Sequence, residues 1–249
     1  MIVQDFFAFL NARFPLADAC DFDHVGLLVG DREAPVSKVL VSLDCTKQAI
    51  SHAKAEGCEL IITHHPVIFD PLSSVTAGSV VYEVVRHGIS VLCFHTNLDQ
   101  GDGGVNDQLC AALSLCEVEK LPCRDGFSAR AGLLPSSMTG EELARFLRSR
   151  LNGAVKYVAT PCPIRRVMVC SGSGGDYLED AIAHHCDALI TADVKHHQFV
   201  EAQNVGFALF DAGHFHTEDV VIEPLAALLR EHFPEIGILT DHTSFIQSV

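Results

Sequence analysis

VLVSLDCTKQAISHAKAEGCELIITHH (residues 39–65) and VMVCSGSGGDYLEDAIAHHCDALITAD (residues 167–193) align without a gap at an offset of 128. Seven of the 27 positions are identical, at 39/167, 41/169, 53/181, 55/183, 58/186, 62/190 and 63/191. Each stretch reads as an apolar run, a turn, an amphipathic segment and a second apolar run ending in Ile-Thr. A third run follows in each, VLCFHTNLD (91–99) and FALFDAGHF (207–215). The offset there is about 116, which places an insertion of roughly 12 residues in the first copy, within 70–88. Runs that are apolar throughout, not alternating, are those of strands covered on both faces. The expected fold is therefore α/β, with two similar α/β domains from an internal duplication and mostly parallel sheets flanked by helices.

Working outward, the predicted strands are 38–44, 59–63, 89–94, 166–172, 188–191 and 207–213. Predicted helices cover 46–56, 82–87, 140–150 and 177–185. Thr139 has the hydroxyl to cap the third of these, with Glu142 as its capping-box partner. Pro122 and Gly126 break the chain, so the expected first domain is residues 1–124 plus 212–249, and the second is 125–211.

Lys and Arg number 17 against 32 Asp and Glu, a net charge of −15. So acidic a surface disfavours nucleic acid and anionic membranes as partners. No apolar run approaches the roughly 18 residues of a membrane span. MIVQDFFAFLNARFP (1–15) has neither the basic start nor the small-residue cleavage site of a secretory signal, so none is expected. A cytoplasmic protein is expected. Ten cysteines are present without a C-x-x-C pair. Cys58, Cys93, Cys170 and Cys186 lie in apolar patterns and are expected to be buried free thiols. Histidine is abundant, at 14, and with many carboxylates it suits a borderline divalent metal.

Open parallel sheets bind ligands at the C-terminal ends of their strands. Here those ends carry Thr63-His64-His65-Pro66, then His95-Thr96-Asn97-Leu98-Asp99, and in the second copy Asp193, Asp211 and His214. On an extended backbone His64 and His65 point apart, so each is expected to serve a different ion. His214 and Glu218 are spaced i, i+4 and share a face at the start of a C-terminal helix. His64, His65, Asp99, His214 and Glu218 exceed what one closed tetrahedral zinc needs and suit two ions sharing a carboxylate and a water.

With Asp23-His24-Val25-Gly26-Leu27, Ser42-Leu43-Asp44-Cys45-Thr46, Thr191-Ala192-Asp193-Val194-Lys195 and Gly213-His214 with Thr217-Glu218, these motifs cover nearly the whole chain. In their order and spacing the sequence resembles the GTP cyclohydrolase I type 2 homologue family of dinuclear-metal proteins. The resemblance implies two metal ions held by His64, His65, Asp99, His214 and Glu218. It also implies two similar α/β domains and a ring-shaped homohexamer. Two positions depart from the family pattern: His24 stands where Asn is usual, and Ala192-Asp193-Val194-Lys195-His196-His197 replaces Gly-Asp-Val-Lys-Tyr-His. At 249 residues the chain matches the short form.

The expected function is a dinuclear metal-dependent hydrolase acting on GTP or another nucleotide through a metal-activated water. Its cofactors would be two divalent ions: zinc, manganese, iron or cobalt. His95, Asp193 and His197 are the candidates for moving protons, and Lys195 for meeting a phosphate; orienting the ligands is the other role open to all four. Ser171-Gly172-Ser173-Gly174-Gly175 lacks the ending of a P-loop, which leaves an anion-binding turn or a plain turn. The alternative function is a non-catalytic metal-binding regulatory or metal-handling protein.

Overall fold

The computed structural model describes residues 1–246. In chain order the strands are β1 (Gly26–Val29), β2 (Lys38–Ser42), β3 (Leu60–Thr63), β4 (Ser90–Cys93), β5 (Cys116–Pro122), β6 (Ser128–Met138), β7 (Lys156–Val158), β8 (Ile164–Val169), β9 (Ala188–Thr191), β10 (Ala208–Asp211) and β11 (Gly237–Asp241). The helices are α1 (Val3–Arg13), α2 (Lys47–Glu56), α3 (Val80–Arg86), α4 (Thr96–Gln100), α5 (Val105–Ala112), α6 (Gly140–Leu151), α7 (Leu178–Ala183), α8 (His196–Val205), α9 (His214–Glu218) and α10 (Ile222–His232).

The chain divides into two compact units, each with its own sheet and helices. The first is Met1–Asp102 with Ile222–Thr243; the second is Gly103–Val221 with residues from Ser244. The first sheet has the order β1-β4-β3-β2-β11, parallel except for the β1–β4 pair. The second has the order β5-β6-β8-β9-β10-β7. Its centre, β8-β9-β10, is parallel, and β5, β6 and β7 extend it antiparallel. The α/β expectation therefore holds, with a more mixed second sheet.

The division falls at 102/103 and 221/222, whereas the sequence placed it at 124/125 and 211/212. Pro122 and Gly126 mark the hairpin turn between β5 and β6, closed by hydrogen bonds from Cys123 N–H to the Phe127 carbonyl (2.7 Å) and from Gly126 N–H to the Cys123 carbonyl (2.9 Å). A hairpin cannot be divided between two cores, so 103–124 stays with the second unit. Residues 212–221 stay there as well. Ala212 N–H donates to the Thr191 carbonyl (2.8 Å) and Gly172 N–H to Thr217 Oγ1 (3.1 Å).

The repeat is visible in sheet register. Val39, Leu60 and Ser90 lie side by side on β2, β3 and β4; Val167, Ala188 and Ala208 do so on β8, β9 and β10. The offsets are 128, 128 and 118, so the first copy's insertion is ten residues, against the roughly 12 read from sequence. Each copy packs its own core. Leu40, Ile50, Ala53, Ile61, Val84 and Val91 form one; Leu143, Leu147, Val167, Val169, Ile190 and Phe210 belong to the other.

Local chemistry sets the helix ends. Thr46 Oγ1 accepts from Ala49 N–H (3.0 Å) to open α2, and Gly57 closes it in the left-handed region at φ 74°. The Thr139–Glu142 capping box opens α6 as expected. His214–Glu218 does not begin the long C-terminal helix but forms the separate short α9. Pro224, in the first turn of α10, has no N–H, and its ring would clash with the carbonyl four residues back, so the two cannot merge.

No disulfide joins any two of the ten cysteines, and Cys58, Cys93, Cys170 and Cys186 are buried as expected. Among the described residues no helix is long and apolar enough to cross a membrane.

Candidate metal centre

In the first unit, β3 ends at Thr63, and strand alternation ends with it. His64 N–H and His65 N–H bond back to the Ser42 (3.3 Å) and Leu43 (2.8 Å) carbonyls. The two rings therefore do not point apart as a continuing strand would require; their centroids are 4.9 Å apart. The His95 ring, just after β4, stands 5.1 Å from His64 and 5.6 Å from His65. Each of the three offers a ring nitrogen, and these nitrogens lie within 4.8 Å of one another. Asp99, buried on α4, adds a carboxylate oxygen 3.5 Å from His64 Nε2.

Every imidazole here has its Nδ1 committed. His64 is 1% exposed, and its Nδ1 lies 3.1 Å from the Phe94 carbonyl. A carbonyl only accepts, so Nδ1 carries the proton and Nε2 keeps its lone pair. His65 Nδ1 meets Asp44 Oδ1 at 2.9 Å, and His95 Nδ1 meets Asp23 Oδ1 at 2.8 Å. Asp23 Oδ2 accepts from Thr96 N–H (3.0 Å) and Oγ1–H (2.6 Å). Burial alone would raise the Asp23 carboxyl, but the hydrogen bonds from His95 and Thr96 outweigh it and hold it well below the usual carboxylate range. Asp23 therefore stays an acceptor at neutral pH. Burial pushes the Cys45 thiol, beside Asp44, up to about 12.

The second unit repeats this logic with different residues. His214 Nδ1 lies 2.7 Å from Asp193 Oδ2, and its Nε2 lies 3.0 Å from Glu218 Oε2, one turn along α9. Glu218 is 2% exposed; a carboxylate so far from water calls for a cation or hydrogen-bond donors beside it. Asp193 holds His214 from a left-handed backbone, φ 51°, a conformation that a residue other than glycine keeps only where its surroundings impose it. Gly172, at φ 59°, lies so close beneath that a Cβ there would sit 2.2 Å from Glu218 Oε1 and 3.3 Å from His214 Cε1. The glycine loop thus makes room for a carboxylate. Its Gly172 and Gly174 N–H groups are engaged inside the unit, by Thr217 Oγ1 and Thr191 Oγ1, and so are not presented to an anion.

His64, His65, His95 and Asp99 are thus brought together in one unit, and His214, Glu218 and Asp193 in the other. His197 and Lys195 are exposed at the start of α8 and belong to neither set; the Lys195 backbone N–H donates to Gln198 (2.8 Å). Sequence reasoning quoted Asp23 and Asp44 in the motifs of the resemblance and Gly172 in an anion-binding or plain turn, but gave none of the three a part in holding the donors. Asp44 follows β2 and so lies at a strand end, a signal that was available in the sequence. Asp23 and Gly172 are revealed only by what they touch.

Comparison with known proteins identifies the family. The family model described as Duf34/NIF3 (NGG1p interacting factor 3) matches residues 1–247. A Clostridium acetobutylicum protein called GTP cyclohydrolase 1 type 2 homolog is 32% identical, with 96% of this chain and 93% of the relative covered. A protein of the same description from Lactococcus lactis is 34% identical, with 92% of each covered. The crystal structure of a Staphylococcus aureus hypothetical protein superposes with a TM-score of 0.94 at 26% identity, over 100% of this chain and 99% of that one. With the family model matched over residues 1–247 and relatives above 30% identity over nearly the whole chain, the chain belongs to the Duf34/NIF3 family.

Proposed function

We propose that the protein is a metal-dependent hydrolase that uses two divalent cations, with His64, His65, His95 and Asp99 of one unit and His214 and Glu218 of the other as the donor side chains. The observation that carries this reading is the shared arrangement of four imidazoles. Each has Nδ1 tied to a carbonyl or a carboxylate, which leaves Nε2 for a ligand bond, the orientation typical of metal-binding histidines. Two buried carboxylates beside them supply the negative charge that a cation offsets.

The four donors of the first unit suffice for one ion, and the two of the second leave coordination positions on another for water or substrate. When bound, such ions supply Lewis acidity and make water a nucleophile near neutral pH. Histidine with carboxylate suits zinc, manganese, iron or cobalt. His95 enters this reading as a donor, and Asp193 as the residue that orients His214. Proton transfer to a leaving group is assigned to His197 and contact with a phosphate to Lys195, both exposed at the start of α8. The relatives' name points to GTP among possible substrates, and the homohexamer and cytoplasmic setting inferred from resemblance and composition belong to the same reading.

The test is to load the purified protein with each metal in turn, count metal per chain by elemental analysis, and screen GTP and phosphoesters by product mass. Two equivalents of metal with turnover that disappears in Glu218→Gln is the expected result, with native mass giving the oligomer. A fully loaded protein without turnover would favour the metal-handling alternative. Absence of metal would end both.

A further inference from the structure

We propose that Phe22 and Phe69 form a stacking subsite for a flat heteroaromatic ring beside His95, so that the substrate is a small molecule carrying a ring of the nucleobase kind. This inference rests on the reading of His64, His65 and His95 as cation ligands. Of 15 phenylalanines, three are exposed: Phe22 at 61%, Phe69 at 46% and Phe245. The first two, 47 positions apart in the chain, converge with ring centroids 6.4 Å apart and planes tilted by 45°. Phe69 also stands edge-on to His95, at 6.5 Å and 77°. Phe22 directly precedes Asp23, the carboxylate that holds His95 Nδ1. The Phe69 ring thus meets the imidazole directly, and the Phe22 ring reaches it through Phe69.

Leaving two large apolar rings in water gains the fold nothing, because phenylalanine is stabilising when it is buried. Their placement follows the repeat. Phe69 lies between β3 and β4, the connection that is ten residues longer in the first copy than its counterpart between β9 and β10. Phe69 thus stands just before the stretch, 70–88, in which the first copy is longer. Phenyl faces offer neither donor nor acceptor, so they discriminate by flatness and π-surface, as base-stacking platforms do. A ring held there would have its edge nitrogens or carbonyl oxygens within reach of a cation on His95, whereas a sugar or a bare phosphate would find nothing to stack on.

The chain contains no tryptophan, so Phe69→Trp places a single fluorescent reporter in the subsite. Zinc-loaded Phe69→Trp protein would be titrated with guanosine, ribose and tripolyphosphate. Saturable quenching by guanosine alone is expected, and adding Phe22→Ala should weaken it about tenfold with zinc content and circular dichroism unchanged. Quenching by tripolyphosphate alone, indifference to Phe22→Ala, or a blue-shifted emission that turns red on dilution would overturn the subsite, the last by showing that a second copy covers the rings. Zinc is counted separately. A chain that binds guanosine but takes up no zinc would therefore keep the subsite and remove the metal reading, and a zinc-loaded chain blind to guanosine would do the reverse.

Discussion

The triplets β2-β3-β4 and β8-β9-β10 share one backbone design and differ in chemistry. Their registers coincide, and each passes the same hydrogen bond across its last two strands, from Phe94 N–H to the Thr63 carbonyl (3.0 Å) and from Ala212 N–H to the Thr191 carbonyl (2.8 Å). Yet the positions after β3 are His64 and His65, whereas those after β9 are Ala192 and Asp193. In the first unit the strand end provides the imidazoles and neighbouring loops provide the carboxylates that orient them. In the second the strand end provides the carboxylate, and the imidazole comes from α9, after the next strand. A duplicated scaffold thus fixes where side chains emerge, and substitution decides which donors they are.

Removing a donor from the first unit should have the largest effect. His64→Ala should weaken zinc binding by more than about 100-fold in calorimetric titration, since it removes a ligand itself, beyond the 10–100-fold typical of its supporting partners. Unchanged affinity would show that the histidine cluster is not a metal site.

Next comes the glycine beneath the second cluster. Gly172→Ala should displace Glu218 and cost about 10–100-fold in zinc affinity. Gly206→Ala is the control, because Gly206 has a similar backbone (φ 69°) with nothing within 4 Å of an added Cβ. Equal effects on zinc would mean that strain, not the carboxylate's position, is what matters.

Smaller effects separate the orienting acids. Asp44→Ala should cost about tenfold in zinc affinity. Asp193→Gly should cost a similar factor while raising stability of the metal-free protein by about 1 kcal/mol, since glycine relieves the left-handed backbone. The opposite signs would be read by calorimetry and urea unfolding. A loss of both affinity and stability would refute the strain.

The smallest effects concern acid. Asp23 has a folded pKa held below its unfolded value, so its contribution is present above about pH 4 and fades as pH falls further. Asp23→Asn should flatten that acid limb of urea stability. Glu223, held down to about 2 by Thr240, His242 and Arg230, loses its contribution between about pH 4.5 and 2. It is largely solvent-exposed, so Glu223→Gln should change the pH 7-to-3 difference by less than about 1 kcal/mol.

The strands and their order were legible because buried parallel strands must be apolar throughout, and 188–191 is an apolar run with the bounds of β9. The donors were legible because they cluster at strand ends. Less visible was the turn at Pro122 and Gly126, where the same residues would serve a linker or a hairpin, and pairing between β5 and β6 decides. The ten-residue insertion was nearly measurable from the third run, but an ungapped comparison of short apolar words slips by a residue or two.

By itself, then, the sequence determined the repeat, the alternation of strand and helix, and which residues are able to bind a metal, since apolar period and side-chain chemistry are local properties. Tertiary structure alone decided that His64 and His65 turn toward each other, that Asp23 and Asp44 lock the rings beside them, and that Gly172 clears space for Glu218. Those are relations between atoms far apart in the chain, and only packing fixes them.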